Sequence, residues 1–242
     1  MNLRQLGRAM TKRIPRSVVL AAVIFALSSA CGVGWATNSS WQQEFAISSC
    51  KLQTTGRNDY FVLEPGFQLV LEGGGTKVEI TVLDETRTID GVVTRVVEER
   101  EWKNGELFEV ARNYFAICEQ TKDVFYFGED VDFYEKGKVV KHDGSWLAGK
   151  DGAKAGLFMP GTPKLKMKYY QEVAPGVAMD RAEIVGLNET CKTPAGTFAR
   201  CLKVKESSAI SSGTEYKYHA PGIGLVGDQD LRLVKHGFVK GK

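Results

Sequence analysis

Four carboxylates fall close together at Glu129, Asp130, Asp132 and Glu135, just after the apolar run Val124 to Phe127. Hard cations such as calcium take several oxygen ligands from carboxylates and carbonyls on loops. Glu129, Asp130 and Asp132 are therefore a candidate calcium site, and calcium is the one cofactor the sequence brings into question. The spacing is not that of an EF-hand loop, which needs a central glycine and a distant glutamate. The competing reading is a solvated hairpin end, with Asp130 bonded to nearby backbone amides.

Other chemistries fail at a particular residue. The run Gly144-Ser145-Trp146-Leu147-Ala148-Gly149-Lys150-Asp151 nearly spells a phosphate-binding loop. Asp151, however, stands where a hydroxyl should meet magnesium, and a carboxylate there repels phosphate. His142, His219 and His236 are scattered, with no Gly-x-Ser-x-Gly elbow and no HExxH beside them, so each reads as a surface or hydrogen-bonding residue. No catalytic residue is assigned. The aromatics Tyr114, Phe115, Phe125, Tyr126, Phe127, Tyr169 and Tyr170 either line a groove for an apolar ligand or fill a sheet core, which uses the same residues at the same spacing.

The cysteines point to oxidation. Apart from Cys31 there are four, Cys50, Cys118, Cys191 and Cys201, and an even number in an exported chain suggests disulfides. The stretch Thr193-Pro194-Ala195-Gly196-Thr197 reads as a hairpin turn. Centred on Gly196, it sets Cys191 opposite Cys201, close enough to be bridged. Cys50 is then left with Cys118. A cysteine metal site is disfavoured, because there is no CxxC and no Cys/His pair at ligand spacing.

The export expectation comes from residues 1–36. Arg4, Arg8, Lys12, Arg13 and Arg16 precede the apolar run Ser17 to Ala30, and no acid occurs before Glu44. A basic head, a short apolar stretch and small residues make a signal peptide; the run is short for a membrane span of about 20 residues. Cleavage after Ala30, cleavage after Ala36 and lipidation of Cys31 all remain open. Lipidation would tether the protein to a membrane, and no other membrane contact is expected. The whole chain has 32 basic and 29 acidic residues. Without the five leader cations it carries 27 against 29, with no basic stripe of the kind nucleic acid requires.

The elements that must position these residues follow a period of two. Val78, Ile80 and Val82 alternate with Lys77, Glu79 and Thr81. Phe198, Leu202 and Val204 do the same, with Arg200 out of place on the apolar face. Such alternation marks half-buried antiparallel strands. Gly73-Gly74-Gly75, Asp90-Gly91, Asn104-Gly105 and Lys136-Gly137 supply the turns. Ten to twelve strands are expected between Tyr60 and His236, with room for a short helix around Ser145 to Ala155. The expected organisation is a signal peptide over 1–36, a polar N-terminal arm over 37–58 that starts loose, and one all-β domain over 59–242. A meander this long must curl into a half-barrel, a barrel or a two-layer sheet, because open sheets twist and leave exposed edges.

Several segments resemble a family of largely uncharacterised exported bacterial β-proteins. The opening is Asp59-Tyr60-Phe61-Val62-Leu63-Glu64-Pro65-Gly66 and the middle is Phe125-Tyr126-Phe127-Gly128-Glu129-Asp130. The end is Tyr218-His219-Ala220-Pro221-Gly222-Ile223-Gly224-Leu225-Val226. The resemblance covers Asp59 to Val234 and implies the all-β fold and a bacterial envelope setting, with no activity to carry over. This chain departs from the family pattern at Cys191 and Cys201, where valine-like residues are expected.

Two functions follow as expectations. One is an exported, non-catalytic envelope or secreted protein that binds or carries an apolar ligand. The other is a structural or protein-interaction domain at the envelope, with an envelope protein as partner and no small ligand.

Overall fold

Tight turns set the frame. Asp90-Gly91 and Asn104-Gly105 have positive φ at both residues, the conformation that lets a two-residue hairpin match strand twist. The computed structural model describes residues 40–239. Its first strands are β1 (Leu52–Gln53), β2 (Gly56–Asn58), β3 (Phe61–Leu63), β4 (Phe67–Gly73), β5 (Thr76–Ile89), β6 (Val92–Lys103), β7 (Glu106–Cys118) and β8 (Val124–Glu135). There follow β9 (Lys138–Lys141), β10 (Trp146–Leu147), β11 (Lys154–Met159), β12 (Lys168–Tyr170) and β13 (Glu172–Val173). The chain ends with β14 (Asp180–Thr193), β15 (Gly196–Ser208), β16 (Glu215–Ala220), β17 (Gly224–Asp228) and β18 (Leu231–Phe238). The strands beyond the expected ten to twelve are short pieces such as β1, β10 and β13, too brief for a two-residue period to appear. No helix forms around Ser145 to Ala155: β10 pairs with β8 at Trp146↔Glu129, and turns follow.

Two meanders, β4 to β8 and β14 to β18, make the wall. They join on one side where β18 pairs antiparallel with β4, Leu233 opposite Leu71 and Phe238 opposite Phe67. On the other side β11 lies beside β8, and the segment 168–173 fills the gap. Its first half, β12, pairs with β14 (Tyr170↔Arg181), and its second half, β13, pairs with β11 (Glu172↔Ala155). The result is a 16-stranded antiparallel sheet nearly closed into a barrel, with β2 and β3 as a separate hairpin. Of the three curled forms, closure is the one that removes sheet edges.

Gln171 holds this seam. Its backbone N–H donates to the Asp180 carbonyl at 2.8 Å. Its side-chain amide donates to the Phe158 carbonyl at 3.4 Å and to Glu206 Oε1 at 3.1 Å. Gly156 on β11 faces it so closely that a Cβ would lie 2.1 Å from the Gln171 carbonyl oxygen. Only a residue without a side chain permits that approach.

The β2–β3 hairpin closes one end of the barrel. Asn58, 3% exposed, donates to the carbonyls of Lys122 and Pro160 at 2.8 and 3.0 Å, and its Oδ1 accepts from the Tyr60 amide. Arg95 reaches from the wall to the Thr54 carbonyl at 2.9 Å. The disulfide Cys50–Cys118, with Cα atoms 5.2 Å apart, clamps the preceding segment to β7. The described part of the polar arm is thus packed rather than loose: Gln42 exchanges backbone hydrogen bonds with Lys168 and Tyr170. The expected boundary at Asn58 falls inside this hairpin. The leader over 1–36 and Cys31 lie outside the described residues.

The β14–β15 hairpin corrects the expected register. Its two-residue turn is Pro194-Ala195, with Thr193 opposite Gly196, so Cys191 pairs with Phe198 and Cys201 with Glu189. Arg200, at φ 57°, forms a bulge that lets Cys201 and Leu202 both be buried, which accounts for its break in the alternation. Cys191 and Cys201 are free thiols in this structure rather than the expected bridge. Both are buried, and the Cys201 thiol donates to the Phe198 carbonyl at 3.5 Å.

Candidate functional site

Strand alternation aims one set of side chains into the barrel. Leu69 and Leu71 on β4 and Val78, Ile80 and Val82 on β5 form an apolar wall. Facing it are Glu99 and Glu101 on β6, Asn113 on β7, Glu129 on β8, Glu172 on β13 and Lys217 and His219 on β16. Between them lies a cavity of about 520 Å³, within the roughly 300–1,000 Å³ range of small-molecule sites. Its floor, at the β2–β3 end, is aromatic: Phe115 stacks on Tyr126 at 4.7 Å, and Phe61 and Phe158 meet Phe115 edgewise or tilted at 5.2 and 4.8 Å. Asp228 at the end of β17, with Gly74, Gln229 and Asp230 in the turns at the opposite end, adds to the lining.

A bulge brings Tyr126 and Glu129 to the same face although they stand three positions apart, which in a regular strand would set them on opposite faces. Phe115 pairs with Tyr126 but Asn113 pairs with Glu129, so β8 gains a residue between them. Gly128 takes up the bulge at φ 134°, and a Cβ there would sit 2.3 Å from the Trp146 carbonyl oxygen. β-bulges re-aim side chains in this way.

The lumen is rich in acid. Six lining carboxylates (Glu99, Glu101, Glu129, Glu172, Asp228 and Asp230) face one lysine, Lys217. That lysine is already occupied, with Nζ 2.7 Å from Glu206 Oε2 and 3.9 Å from Asp228 Oδ2. Burial pushes Glu206 up, but Lys217 and the Gln171 amide outweigh it and hold the carboxyl low. Glu99 has no such neighbour at contact distance; burial raises it to about 7, against a weaker pull from Lys217. Glu129 also rises to about 7 through burial, while the neighbouring Tyr126 hydroxyl donates to Asn113 Oδ1. Burial next to Glu129 and Asp180 drives Glu172 well above the usual carboxylate range. Burial lowers His219 to about 4, so its ring is neutral at neutral pH. Desolvation disfavours each charged form, and crowding of like charges adds to it among the acids.

The expected calcium ligands are not brought together. Strand pairing runs through Asp132, so the segment is strand rather than loop and its side chains alternate. Glu129 faces the lumen, Asp130 pairs with Arg87 and Tyr114, and Asp132 lies near Arg112 and His142. Among the described residues no group of His, Cys, Asp and Glu has metal-holding geometry. The near-miss phosphate loop is β10 with turns on either side and no helix after it. Of the seven aromatics singled out, Phe115 and Tyr126 line the cavity, Tyr114, Phe125, Phe127 and Tyr169 belong to the surrounding core, and Tyr170 packs against Trp41 and Arg181. His142 is an exposed partner of Asp132, whereas His219, expected as a surface or hydrogen-bonding residue, is 4% exposed and faces the lumen.

No family model matches this chain, and no curated protein matches it. Among solved structures it is similar to a "putative lipoprotein" of Parabacteroides distasonis ATCC 8503 at 15% identity, over 76% of this chain and 100% of that one, with a TM-score of 0.38. A match that loose carries neither fold detail nor function across.

Glu99, Glu172 and Lys217 carry no motif in the sequence, and His219 stands out there only as a surface or hydrogen-bonding residue. A signal was present: Glu99 and Glu101 share the parity of Val97, a core position, so β6 carries charge on its inner face as well as its outer one. An inward charge is costly unless paired or used.

Proposed function

We propose that this chain is an exported, non-catalytic envelope or secreted protein that holds a small ligand with an apolar part inside its barrel. The observation that carries this reading is the cavity: a core built only for stability is packed to crystal-like density, whereas this one leaves about 520 Å³ between an apolar wall and a polar one. The basic-then-apolar leader sequence and the Cys50–Cys118 disulfide support export, since disulfides persist in oxidising compartments. A purely structural or protein-interaction domain would have a filled interior and one contiguous exposed apolar patch. Here the exposed apolar residues are spread over many elements, among them Val93, Leu165, Ile210 and Phe238.

Native mass spectrometry of the protein purified from its own compartment tests the reading. A mass excess released by organic solvent is expected. A bare mass, together with no thermal shift from any small amphiphile, would remove the ligand and leave the structural reading in its place.

A further inference from the structure

We propose that the ligand is an organic cation, an ammonium group carrying a hydrocarbon or aromatic tail, with the ammonium among Glu99, Glu129, Glu172 and His219 and the tail against β4, β5 and the aromatic floor. This rests on the lumen being a binding site, as argued above, and adds the chemical class.

Three observations point to a cation. The first is the imbalance of the lining, in which the one lysine is committed to Glu206 and Asp228. Glu99, Glu129 and Glu172 form no ion pair among the described residues. Buried carboxylates normally have a cationic partner. The second is His219. Its ring borders the cavity, 4% exposed, and Nδ1 has no hydrogen-bond partner. We assign this unpartnered Nδ1 as the acceptor of the neutral ring, which suits an N–H donor. The third is Asp228, whose Oδ1 is likewise buried and unpartnered at the cavity wall. An anionic ligand would find no free cation among these groups.

The remaining surface fits the rest of such a molecule. Leu71, Val78, Ile80 and Val82 offer only hydrocarbon. Tyr126 and Phe115 are stacked beside Glu129, and aromatic faces attract ammonium groups as well as burying tails. A bare metal ion would leave this half of the cavity unused, and the carboxylates lack metal-holding geometry.

The test compares n-hexylammonium, n-hexanol and n-hexanoate by calorimetry on the full mature chain. The ammonium should bind at least about tenfold more tightly than the alcohol, a difference of about 1.4 kcal/mol, and the carboxylate should bind most weakly. In a Glu129→Gln/Glu172→Gln variant the ammonium should lose that advantage while alcohol binding stays the same. Equal binding of all three, tighter binding of hexanoate, or an unchanged preference in the variant would overturn the cation assignment and leave the proposed carrier intact. If none of the three binds, both readings fall.

Discussion

Lys217 Nζ lies 2.7 Å from Glu206 Oε2 inside the barrel, and the same carboxylate accepts from the Gln171 amide at 3.1 Å through its other oxygen. One ion pair therefore does two things. It uses up the charge of the lumen's one lysine, and through Gln171 it ties β15 and β16 to the seam that closes the sheet. Glu99, Glu129 and Glu172 are left without a counter-charge, which fits a site that waits for one.

Breaking this pair from one side should be costly. Lys217→Met leaves the partly buried Glu206 and Asp228 side by side without their cation, a loss that should fall below the roughly 3–5 kcal/mol of a fully buried pair. Adding Glu206→Gln should recover most of that loss, because the second charge goes as well. Chemical denaturation of the single and double variants reads this directly. If the double variant is no more stable than the single one, the pair is not the energetic unit described here.

Unpaired lumenal acids should weaken the fold as pH rises. Glu99 and Glu129 titrate near 7 in the folded chain against 4.5 when free. Between those values the folded state binds more protons than the unfolded one, so stability falls with increasing pH, by up to about 1.4 kcal/mol per pH unit for each group. His219, lowered to about 4 from 6.5, acts in the opposite sense: its contribution is lost as pH falls through that window. The two glutamates outweigh the one histidine. Glu129→Gln should therefore raise the melting temperature at about pH 8 and leave it nearly unchanged at about pH 4. An equal shift at both values would mean that charge is not the cause.

Gly156→Ala should open the seam. Its new methyl would lie 2.1 Å from the Gln171 carbonyl oxygen, and backbone on both sides leaves no side chain that can turn aside. Overpacking of this kind costs typically 1–3 kcal/mol or more. A lower unfolding midpoint and increased binding of a hydrophobic dye at the β11–β13 edge are expected. Wild-type stability in this variant would show that the two strands do not approach so closely in solution.

The two cysteine pairs should behave differently. Reduction of Cys50–Cys118, which closes a 68-residue separation, should cost about 4 kcal/mol by loop entropy and loosen the hairpin at the barrel floor. Burial and the neighbouring Cys201 raise the Cys191 thiol to about 12, so it carries almost no thiolate at neutral pH and should resist alkylation until the chain unfolds. Mass spectrometry after iodoacetamide labelling of native protein checks both expectations. Rapid labelling of Cys191 would show that the hairpin opens. Peptide mapping without reductant would show whether this adjacent pair closes to a bridge when the protein comes from an oxidising compartment.

The sequence by itself determined the all-β class, the hairpin turns and the antiparallel direction of the long strands. Each of these is written in neighbouring residues: Val78, Ile80 and Val82 against their polar neighbours, or Asp90-Gly91 and Asn104-Gly105, which alone accept the φ values such turns demand. The Cys50–Cys118 pairing was reached by elimination, although its partner expectation at Cys191 and Cys201 rested on a turn centre that the structure moves to Pro194-Ala195. Tertiary structure decided what lies across the lumen. Barrel closure depends on segment 168–173 pairing with β11 on one side and β14 on the other, a contact between elements far apart in the chain. Glu99, Glu129, Glu172 and His219 sit on four different strands, and no local period links them. The bulge at Gly128 also sends Glu129 inward, away from Asp130 and Asp132, so a cluster that looks like one site in the sequence faces two different environments. Periodicity reports which residues share a face of one strand; it carries no information on which strands will face each other once the sheet has curled.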